Sequence, residues 1–246
     1  MRYLILSDLH ANWHALEAVL HAWEGQYDQV LCCGDLVGYG ADPNAVAEWV
    51  RAHCAVVVRG NHDRSCTGLD GLEWFNPLAR LAALWTQRAL SAANAEFVRT
   101  LPRGPLLVEE FELVHGAPYD EDDYVMGSEE AAQAFGYLER RVVFFGHTHV
   151  QGGFIWNCSR VESIPRTPLH SGTQEFQIDP ECAYLINPGS VGQPRDGDPR
   201  AASLLYDSDL QLVAYRRTDY DIAAAQRQIN EAGLPSILAD RLSLGR

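Results

Sequence analysis

Short apolar runs alternate with helical patterns along the first 150 residues of the chain. Residues 2–7, 29–33 and 55–58 are apolar runs whose lengths are typical of buried β-strands. Asn12 can cap a helix after the first run, because apolar residues then recur at helical spacing. The same alternation continues with a helix that begins at Asp42-Pro43, a helix over 77–101, a hairpin of strands 106–109 and 111–114, a helix over 128–138 and a buried strand over 142–145. Strands that alternate with helices predict a parallel sheet.

The pattern changes after residue 150, where strands follow one another without helices between them. The polar segment 157–180 is predicted to form an exposed hairpin, and helices over 219–232 and 236–244 close the chain. The strands of this half are predicted over 154–156, 182–186, 202–206 and 210–215. Such strands pair antiparallel, so we predict one α/β domain over residues 1–246, with two mixed sheets packed face to face and helices outside.

Composition and charge exclude several classes of protein. The 246 residues include 19 Lys and Arg against 33 Asp and Glu, which gives a formal net charge of −14. A field of this sign repels nucleic acid and anionic lipid, so neither nucleic acid nor a membrane is an expected partner. No apolar run approaches the roughly 20 residues of a membrane span. The six Cys have no regular spacing, so we predict a cytoplasmic protein with reduced thiols. The sequence does not indicate an oligomeric state.

Residues of the types that bind metals come directly after five of the predicted strands. They occur in the segments Asp8-Leu9-His10, Gly34-Asp35, Gly60-Asn61-His62-Asp63, His115-Gly116 and Gly146-His147-Thr148-His149. Each segment alone has an ordinary structural explanation, since Asp often caps a helix and Gly-Asn often forms a turn. The carboxyl ends of parallel strands meet at one edge of a sheet, however, so we expect the five segments to converge there.

Together the segments supply seven candidate metal ligands, namely two Asp, four His and one Asn. Seven ligands exceed what one tetrahedral zinc with three protein ligands and an open position requires. They suit two metal ions that share a bridging carboxylate and have mixed oxygen and nitrogen ligands. The sequence therefore predicts a site for two divalent transition metal ions, with Mn²⁺ as the first expectation and Fe, Ni²⁺ or Zn²⁺ as alternatives.

The five segments, in this order, resemble the metal-binding blocks of the calcineurin-like metallophosphoesterase family. The likeness covers residues 1 to about 151 and resumes at Asn187-Pro188-Gly189-Ser190-Val191-Gly192. It implies a four-layer α/β/β/α sandwich and hydrolysis of phosphoesters. It also implies that the metal ligands are Asp8, His10 and His149 for one ion and Asn61, His115 and His147 for the other, with Asp35 bridging both. His62 matches the family's histidine that lies beside the metals without binding them.

The expected chemistry depends on the charge of the two ions. Two cations about 3.5–4 Å apart neutralise phosphate oxygens and lower the pKa of a water between them, so that the resulting hydroxide can attack phosphorus. His62 is then the candidate catalytic residue, as a general acid for the leaving oxygen or as a hydrogen-bond donor to its developing charge. General acid catalysis contributes about 10²–10⁴-fold in rate.

One segment departs from the Ser/Thr protein phosphatase branch of this family. That branch has a second Asp followed by Arg-Gly, where this chain has Gly38, Tyr39 and Gly40. The Asp orients the catalytic histidine there and the Arg binds phosphate, so two functional side chains are missing. The chain is more similar to small bacterial and archaeal phosphodiesterase-type members, and we expect a phosphodiesterase that acts on a small phosphoester. A Ser/Thr-type protein phosphatase, a nucleotide phosphatase and a non-catalytic binding scaffold are the alternatives.

Substrate contacts are predicted at two positions. Asn12 could present its amide to a phosphate oxygen, although capping a helix is the simpler role. Arg195 lies in a Gly- and Pro-rich loop, and such loops carry function when a rigid scaffold positions them. We interpret the acidic run 120–123 as a solvated loop near the site. Together with the missing Arg at position 39, it favours a singly charged diester over a doubly charged monoester.

Overall fold

Two six-stranded sheets form the centre of the fold, in a computed structural model that describes residues 1–165, 167–168 and 171–246. The strands are, in chain order, β1 (Arg2–Leu6), β2 (Gln29–Cys32), β3 (Cys54–Val57), β4 (Leu106–Val108), β5 (Phe111–Leu113), β6 (Val142–Phe144), β7 (Gly152–Trp156), β8 (Val161–Ile164), β9 (Thr173–Gln177), β10 (Ala183–Asn187), β11 (Ala201–Asp207) and β12 (Leu212–Thr218). The helices are α1 (Trp13–Ala22), α2 (Pro43–His53), α3 (Asn61–Cys66), α4 (Pro77–Ala89), α5 (Ala92–Arg99), α6 (Ser128–Phe135), α7 (Ile222–Glu231) and α8 (Ser236–Asp240), followed by a 3₁₀ turn (Arg241–Leu244).

Each sheet combines parallel and antiparallel strands. The first sheet has the order β3-β2-β1-β11-β12-β9, in which β1, β2 and β3 are parallel and the other three strands add antiparallel. The second sheet has the order β4-β5-β6-β10-β7-β8, in which β5, β6 and β10 are parallel. Its remaining strands are antiparallel to their neighbours. The predicted α/β class with two mixed sheets is therefore confirmed.

Alternate residues of the central strands point into different hydrophobic cores. In β1, Tyr3 and Ile5 lie in the core between the two sheets, whereas Leu4 and Leu6 pack under helices α1 and α2. In β6, Val143 faces the helix α6 on the other side of the second sheet. Each fully buried Leu or Ile side chain contributes about 1.5–3 kcal/mol relative to an exposed one. Strands that bury both faces therefore hold together the four-layer α/β/β/α sandwich that the family resemblance implied.

The helix predicted over residues 77–101 is in fact two helices, so this prediction was wrong. Helix α4 ends at Ala89, and Leu90 has an extended backbone. Ser91 then caps α5, because its hydroxyl oxygen accepts a hydrogen bond from the backbone N–H of Asn94 at 3.2 Å. The local cap overrides the helical propensity of a segment that is rich in Ala and Leu.

The polar segment 157–180 does not form a separate exposed hairpin, so this prediction was also wrong. Strand β8 pairs with β7 at the edge of the second sheet, and β9 pairs with β12 at the edge of the first. The side chains of β9 alternate between exposed and half-buried, which explains the polar sequence of an edge strand. Residues 166, 169 and 170 of this segment lie outside the described residues.

Two further features concern the cysteines and the lengths of the helices. The six cysteines are free, and Cys32, Cys33 and Cys66 are buried. Within the described ranges, no helix is both long enough and apolar enough to cross a membrane.

Candidate metal centre

The predicted metal ligands follow the carboxyl ends of β1, β2, β3, β5 and β6. Six of the seven are at most 4% exposed, namely Asp8, His10, Asp35, His115, His147 and His149. The seventh, Asn61, begins helix α3 directly after β3 and is half-buried. Their ligand atoms lie in two adjacent groups, so the structure brings together the residues that the sequence singled out.

The first ligand set consists of Asp8, His10, Asp35 and His149, whose ligand atoms all lie within 4.8 Å of one another. Nε2 of His10 lies 3.0 Å from Nε2 of His149 and 3.6 Å from Oδ2 of Asp35. Nε2 of His149 is 3.5 Å from Oδ1 of Asp8. Two carboxylates and two imidazoles therefore surround one position.

The second ligand set consists of Asp35, His115 and His147, and its ligand atoms also lie within 4.8 Å of one another. Nε2 of His115 lies 3.5 Å from Oδ2 of Asp35 and 3.1 Å from Nδ1 of His147. Oδ1 of Asn61 lies 3.2 Å from the same His115 nitrogen and adds a neutral oxygen. Oδ2 of Asp35 thus faces both sets, as a bridging carboxylate must.

Each of the four histidines uses its other ring nitrogen to contact a backbone carbonyl oxygen. These contacts are Nδ1 of His10 with Val37 at 3.0 Å, Nδ1 of His115 with Cys33 at 2.7 Å, Nδ1 of His149 with Gln193 at 2.6 Å and Nε2 of His147 with Asp122 at 3.0 Å. A carbonyl oxygen only accepts hydrogen bonds, so each of these nitrogens carries a proton. In the neutral ring the nitrogen that faces the ligand set then has a free lone pair, which is how metal-binding histidines are oriented.

These lone pairs repel one another unless a cation lies between them. Nε2 of His10 and Nε2 of His149 are 3.0 Å apart, and both rings are neutral because burial lowers the pKa of each histidine well below its ordinary value. Oδ2 of Asp8 is also buried without a hydrogen-bond partner among the described residues. Buried carboxylate oxygens together with imidazole lone pairs are ligands that divalent transition metals accept. The residues present therefore fit two metal ions, one in each set.

The electrostatics of the cluster favour a bound positive charge. Burial raises the pKa of Asp8 to about 7. Burial would also raise the pKa of Asp35, but the neighbouring His115 and His62 hold it well below its ordinary value. Burial lowers the pKa of His115, yet the Asp35 carboxylate outweighs this effect and raises that pKa to about 10. Asp35 is therefore ionised at neutral pH and attracts cations from both sides.

The backbone at many of the ligands lies in the left-handed region. Ten non-glycine residues of the described chain have positive φ, and five of them are the predicted ligands Asp8, His10, Asp35, His147 and His149, with φ between 45° and 66°. Each such conformation costs on the order of 1–3 kcal/mol and persists only where the surrounding structure holds it. A Cβ at Gly60 would lie 2.0 Å from Oδ1 of Asp35, so only glycine lets the third segment approach the bridging carboxylate.

Asp63 organises the loop that carries the bridging carboxylate. It lies in the first turn of α3, a short helix that begins at Asn61 and that the sequence pattern did not predict. Its Oδ2 atom accepts hydrogen bonds from the backbone N–H groups of Asp35 and Gly60, both at 2.9 Å. Both carboxylate oxygens are directed at that loop, so Asp63 positions Asp35 and does not support the His62 ring.

His62 lies beside the ligand sets among aromatic rings. Its ring centroid is 4.5 Å from that of Tyr39, 4.6 Å from that of Phe75 and 4.9 Å from that of His10. Its Nδ1 atom is buried without a hydrogen-bond partner in the described part of the chain, and a Cβ at Gly38 would lie 2.5 Å from it. Gly38 matches the position of the Asp that orients this histidine in protein phosphatases, so aromatic contacts here replace a carboxylate. Burial lowers the pKa of His62 to about 4.

The two predicted substrate contacts differ in their surroundings. Oδ1 of Asn12 accepts a hydrogen bond from the N–H of Ala15 at 3.2 Å, and Nδ2 donates to the carbonyl of Gly192 at 2.9 Å. The Asn12 amide is therefore engaged within the protein as a helix cap. The guanidinium carbon of Arg195 lies 5.6 Å from the ring centroid of Tyr39, and its Nε is buried with no partner among the described residues. Substrate binding stays a prediction for both residues, and the geometry favours Arg195.

The acidic segment after β5 is exposed at Asp120, Asp122 and Asp123, as expected of a solvated loop, but arginine also holds part of it. Arg64 is only 8% exposed, and its nitrogens lie 2.5–2.8 Å from carboxylate oxygens of Asp70, Glu121 and Asp122. The backbone carbonyl of Asp122 is the group that contacts His147. Arg64 therefore fixes the segment that orients one predicted metal ligand.

Two residues at the rim of the centre have no motif in the sequence. Tyr124 is 48% exposed and stacks on His147, with ring centroids 3.9 Å apart. Arg241 lies in the 3₁₀ turn, and its guanidinium carbon is 5.9 Å from the ring centroid of Tyr39. Both reach the centre only through the tertiary fold, so no local pattern could have identified them.

Comparison with known proteins agrees with this geometry. Residues 1–209 match the calcineurin-like phosphoesterase superfamily domain. The chain is 35% identical to an uncharacterised protein of Methanocaldococcus jannaschii, over 98% of this chain and 97% of the relative. The crystal structure of a metallophosphoesterase from Sphaerobacter thermophilus has a TM-score of 0.88 and 38% identity, covering 100% of this chain and 99% of that one. A hypothetical protein from Pyrococcus horikoshii OT3, with a TM-score of 0.77, 17% identity and coverage of 100% and 98%, shares the fold.

This chain belongs to the calcineurin-like phosphoesterase superfamily, and the expected family is confirmed. It is a metal-dependent phosphoesterase whose buried cluster of His and Asp suits two divalent metal ions.

Proposed function

We propose that this enzyme is a dinuclear phosphodiesterase that acts on a small phosphoester. The observation that carries the proposal is Oδ2 of Asp35, which lies 3.6 Å from Nε2 of His10 and 3.5 Å from Nε2 of His115 and so belongs to both ligand sets. One ion would be held by Asp8, His10, Asp35 and His149, and the other by Asp35, Asn61, His115 and His147. Mn²⁺ is the ion we propose, because carboxylate and amide oxygens suit it, whereas the imidazoles also suit Fe, Ni²⁺ and Zn²⁺.

His62 is the catalytic residue in this proposal. When bound, the two cations supply charge neutralisation for the phosphate and a nucleophile derived from water. His62, in contact with the first-set residue His10, donates a hydrogen bond to the leaving oxygen, because the lowered pKa of its buried ring leaves it neutral at pH 7. Tyr39 and Phe75 hold its ring, so the imidazole keeps its orientation without a carboxylate partner. Assistance of this kind contributes about 10²–10⁴-fold in rate.

A phosphodiester rather than a phosphomonoester is the reacting group that we propose. Negative charge develops on the alkoxide that leaves a diester, and the N–H of His62 is available to stabilise it. Tyr39 stands where protein phosphatases have a phosphate-binding Arg, so the second charge of a monoester has less to pair with at this position. Arg64 pairs with Glu121 and Asp122 and so neutralises part of the acidic segment, which leaves the change at position 39 as the main support for the preference.

Steady-state kinetics of Mn²⁺-reconstituted protein tests this proposal. We expect kcat/KM to be highest for bis-p-nitrophenyl phosphate, lower for p-nitrophenyl phosphate and lowest for a phosphoserine peptide. A phosphopeptide with the highest kcat/KM would contradict the proposal and favour the protein phosphatase alternative. Protein that binds metal and hydrolyses none of the three would favour the binding scaffold. The formal charge of −14 supports the expectation that nucleic acid is not a substrate.

A further inference from the structure

Two arginines from distant parts of the chain meet at one tyrosine ring beside the metal centre. The guanidinium carbon of Arg195 lies 5.6 Å from the ring centroid of Tyr39, and that of Arg241 lies 5.9 Å from it. The Tyr39 ring also contacts His10 and His62, at centroid distances of 4.8 Å and 4.5 Å. Only one aromatic ring therefore separates the guanidinium groups from a predicted metal ligand and from the catalytic histidine.

The C-terminal turn brings the two arginines together. The backbone N–H of Gly197, two residues beyond the first arginine, donates a hydrogen bond to the carbonyl of Gly245 at 3.0 Å. Leu242, which follows Arg241, packs with Tyr39 in one hydrophobic cluster. Packing of the turn thus places two like charges close to each other, although they repel.

Neither arginine of this pair forms an ion pair with an Asp or Glu side chain of the described residues. Nη2 of Arg195 donates to Oε1 of Gln193 at 3.0 Å, while its Nε is buried without a partner there. Nε of Arg241 donates to a main-chain oxygen of Arg246, the last residue of the sequence. Burial lowers the pKa of the Arg241 guanidinium, and the nearby charge of Arg195 lowers it further. An anion bound between the two groups would relieve this repulsion.

Other arginines around the centre form ion pairs with acidic side chains. Arg59 forms an ion pair with Glu121 at 2.7 Å, and Arg217 forms a buried ion pair with Asp196. Neither Arg195 nor Arg241 has an Asp or Glu partner within the described residues. Guanidinium groups placed in this way beside the candidate metal centre suit planar, bidentate recognition of a phosphate or a carboxylate.

We propose that Arg195 and Arg241 bind a second anionic group of the substrate, a phosphate or a carboxylate, next to the scissile phosphoester. This inference rests on the proposed function, and it makes Arg241 a specificity-determining residue. The substrate is then a small phosphodiester that carries one further anionic group. A substrate without that group leaves both guanidinium groups without a bound anion.

Binding of non-hydrolysable ligands tests this site without any turnover. Metal-loaded protein is titrated by calorimetry with methylphosphonate, with α,ω-bisphosphonates of one to three carbons and with phosphonocarboxylates of the same lengths. These ligands can also chelate the metal ions, but this contribution is common to all protein variants. The comparison between variants therefore isolates the contribution of the arginines to binding. The bisphosphonate and phosphonocarboxylate arms distinguish the two sources of the second charge.

We expect the best ligand with two anionic groups to bind at least about tenfold more tightly than methylphosphonate to the wild-type protein. Arg241→Gln should lower the affinity for that ligand by about 10–100-fold, which is the effect of losing charge-assisted hydrogen bonds. It should lower the affinity for methylphosphonate far less. Arg195→Gln should act in the same way, and Arg241→Lys should give an intermediate loss. Arg227→Gln removes one exposed charge from helix α7 as the matched control, with an expected change of less than about twofold.

Thermal unfolding without ligand first checks that each variant is folded, and either glutamine variant is sufficient for the test. The site is refuted if both variants bind the two-anion ligands as tightly as the wild type. The site is also refuted if, in both variants, the affinity for the two-anion ligands and the affinity for methylphosphonate fall by the same factor. Wild-type protein that hydrolyses bis-p-nitrophenyl phosphate but shows no two-anion preference refutes this site alone. A preference that depends on the arginines supports the site even if the wild type hydrolyses no diester, in which case the proposed function alone fails.

Discussion

The two ligand sets use the same chemistry but are supported in different ways. In the first set, the outer nitrogens of His10 and His149 contact backbone carbonyls through fully buried hydrogen bonds. In the second set, the outer nitrogen of His147 contacts the carbonyl of Asp122 through a hydrogen bond that is only partly buried. The outer face of that ring is covered by the half-exposed Tyr124.

This difference shows that equivalent ligands can depend on very different supports. The first set is oriented by loops packed into the interior of the sandwich. In the second set, His115 contacts the buried carbonyl of Cys33, whereas His147 depends on a surface segment that Arg64 holds through ion pairs with Glu121 and Asp122. We therefore expect the second set to lose its ion first and to be the more sensitive of the two to changes outside the ligands themselves.

Asp35→Asn removes the element that the two sets share, and it has the largest expected effect. Both sites should lose metal together. The metal affinity of each should fall by more than the roughly 10–100-fold that residues behind the ligands typically contribute. Equilibrium dialysis against Mn²⁺ followed by elemental analysis measures this loss. Asp28→Asn, at an exposed carboxylate paired with Arg2, is the control and should keep full occupancy. An Asp35→Asn protein that loses only one ion would show that Asp35 serves a single set.

His62→Ala separates turnover from metal binding in both sets. The variant should keep its metal content and lose about 10²–10⁴-fold in kcat on diesters with alkoxide leaving groups. The loss should be smaller for p-nitrophenolate, which scarcely needs protonation. The exposed His53→Ala serves as a control for removal of an imidazole. A loss of metal, or wild-type rates on every substrate, would refute the assignment.

Arg64→Ala addresses the difference between the sets most specifically. Release of the Asp122 segment should lower the Mn²⁺ affinity of the second site by about 10–100-fold and leave that of the first site unchanged. A Mn²⁺ binding isotherm resolves the two sites, and a His10→Ala background identifies the one that remains. Arg59→Ala is the matched control, because Arg59 pairs with Glu121 and leaves the contacts between Arg64 and Asp122 intact. Equal weakening of both sites would show that the sets share their support.

Tyr124→Ala should have the smallest effect of the series. A stacked aromatic pair contributes about 0.5–1.5 kcal/mol, so the second site should weaken by less than about tenfold. Tyr124→Phe keeps the stacking on His147 and should match the wild type in the same isotherm. A larger loss in Tyr124→Ala than in Arg64→Ala would mean that stacking, rather than the ion pairs, orients the second set.

The sequence indicated which residues meet at the candidate centre better than it indicated what supports them. Asp8, Asp35 and His115 could be placed together because each is a metal-binding residue type that follows a buried apolar run. The contact between His147 and the Asp122 carbonyl involves a backbone atom, which leaves no trace in residue identity. The rim residues, such as Arg241, are brought in by helix packing far along the chain, so they carry no local signal.

The fold shows the same division between strong and weak signals. Central strands bury both faces, so their apolar runs are distinctive and the four layers could be predicted. Edge strands face solvent, and the polar sequences of β8 and β9 therefore resembled an exposed hairpin. The break at Leu90 was missed because one cap at Ser91 outweighs the helical propensity around it.

The bridging role of Asp35 is tested most directly by anomalous diffraction from crystals of the Mn²⁺-loaded protein. We predict two peaks about 3.5–4 Å apart, the separation typical of dinuclear sites, with both ions bound to Asp35. One ion should also contact His10 and His149, and the other His115 and His147. A single peak, or two peaks of which only one contacts Asp35, would contradict a dinuclear centre bridged by this carboxylate.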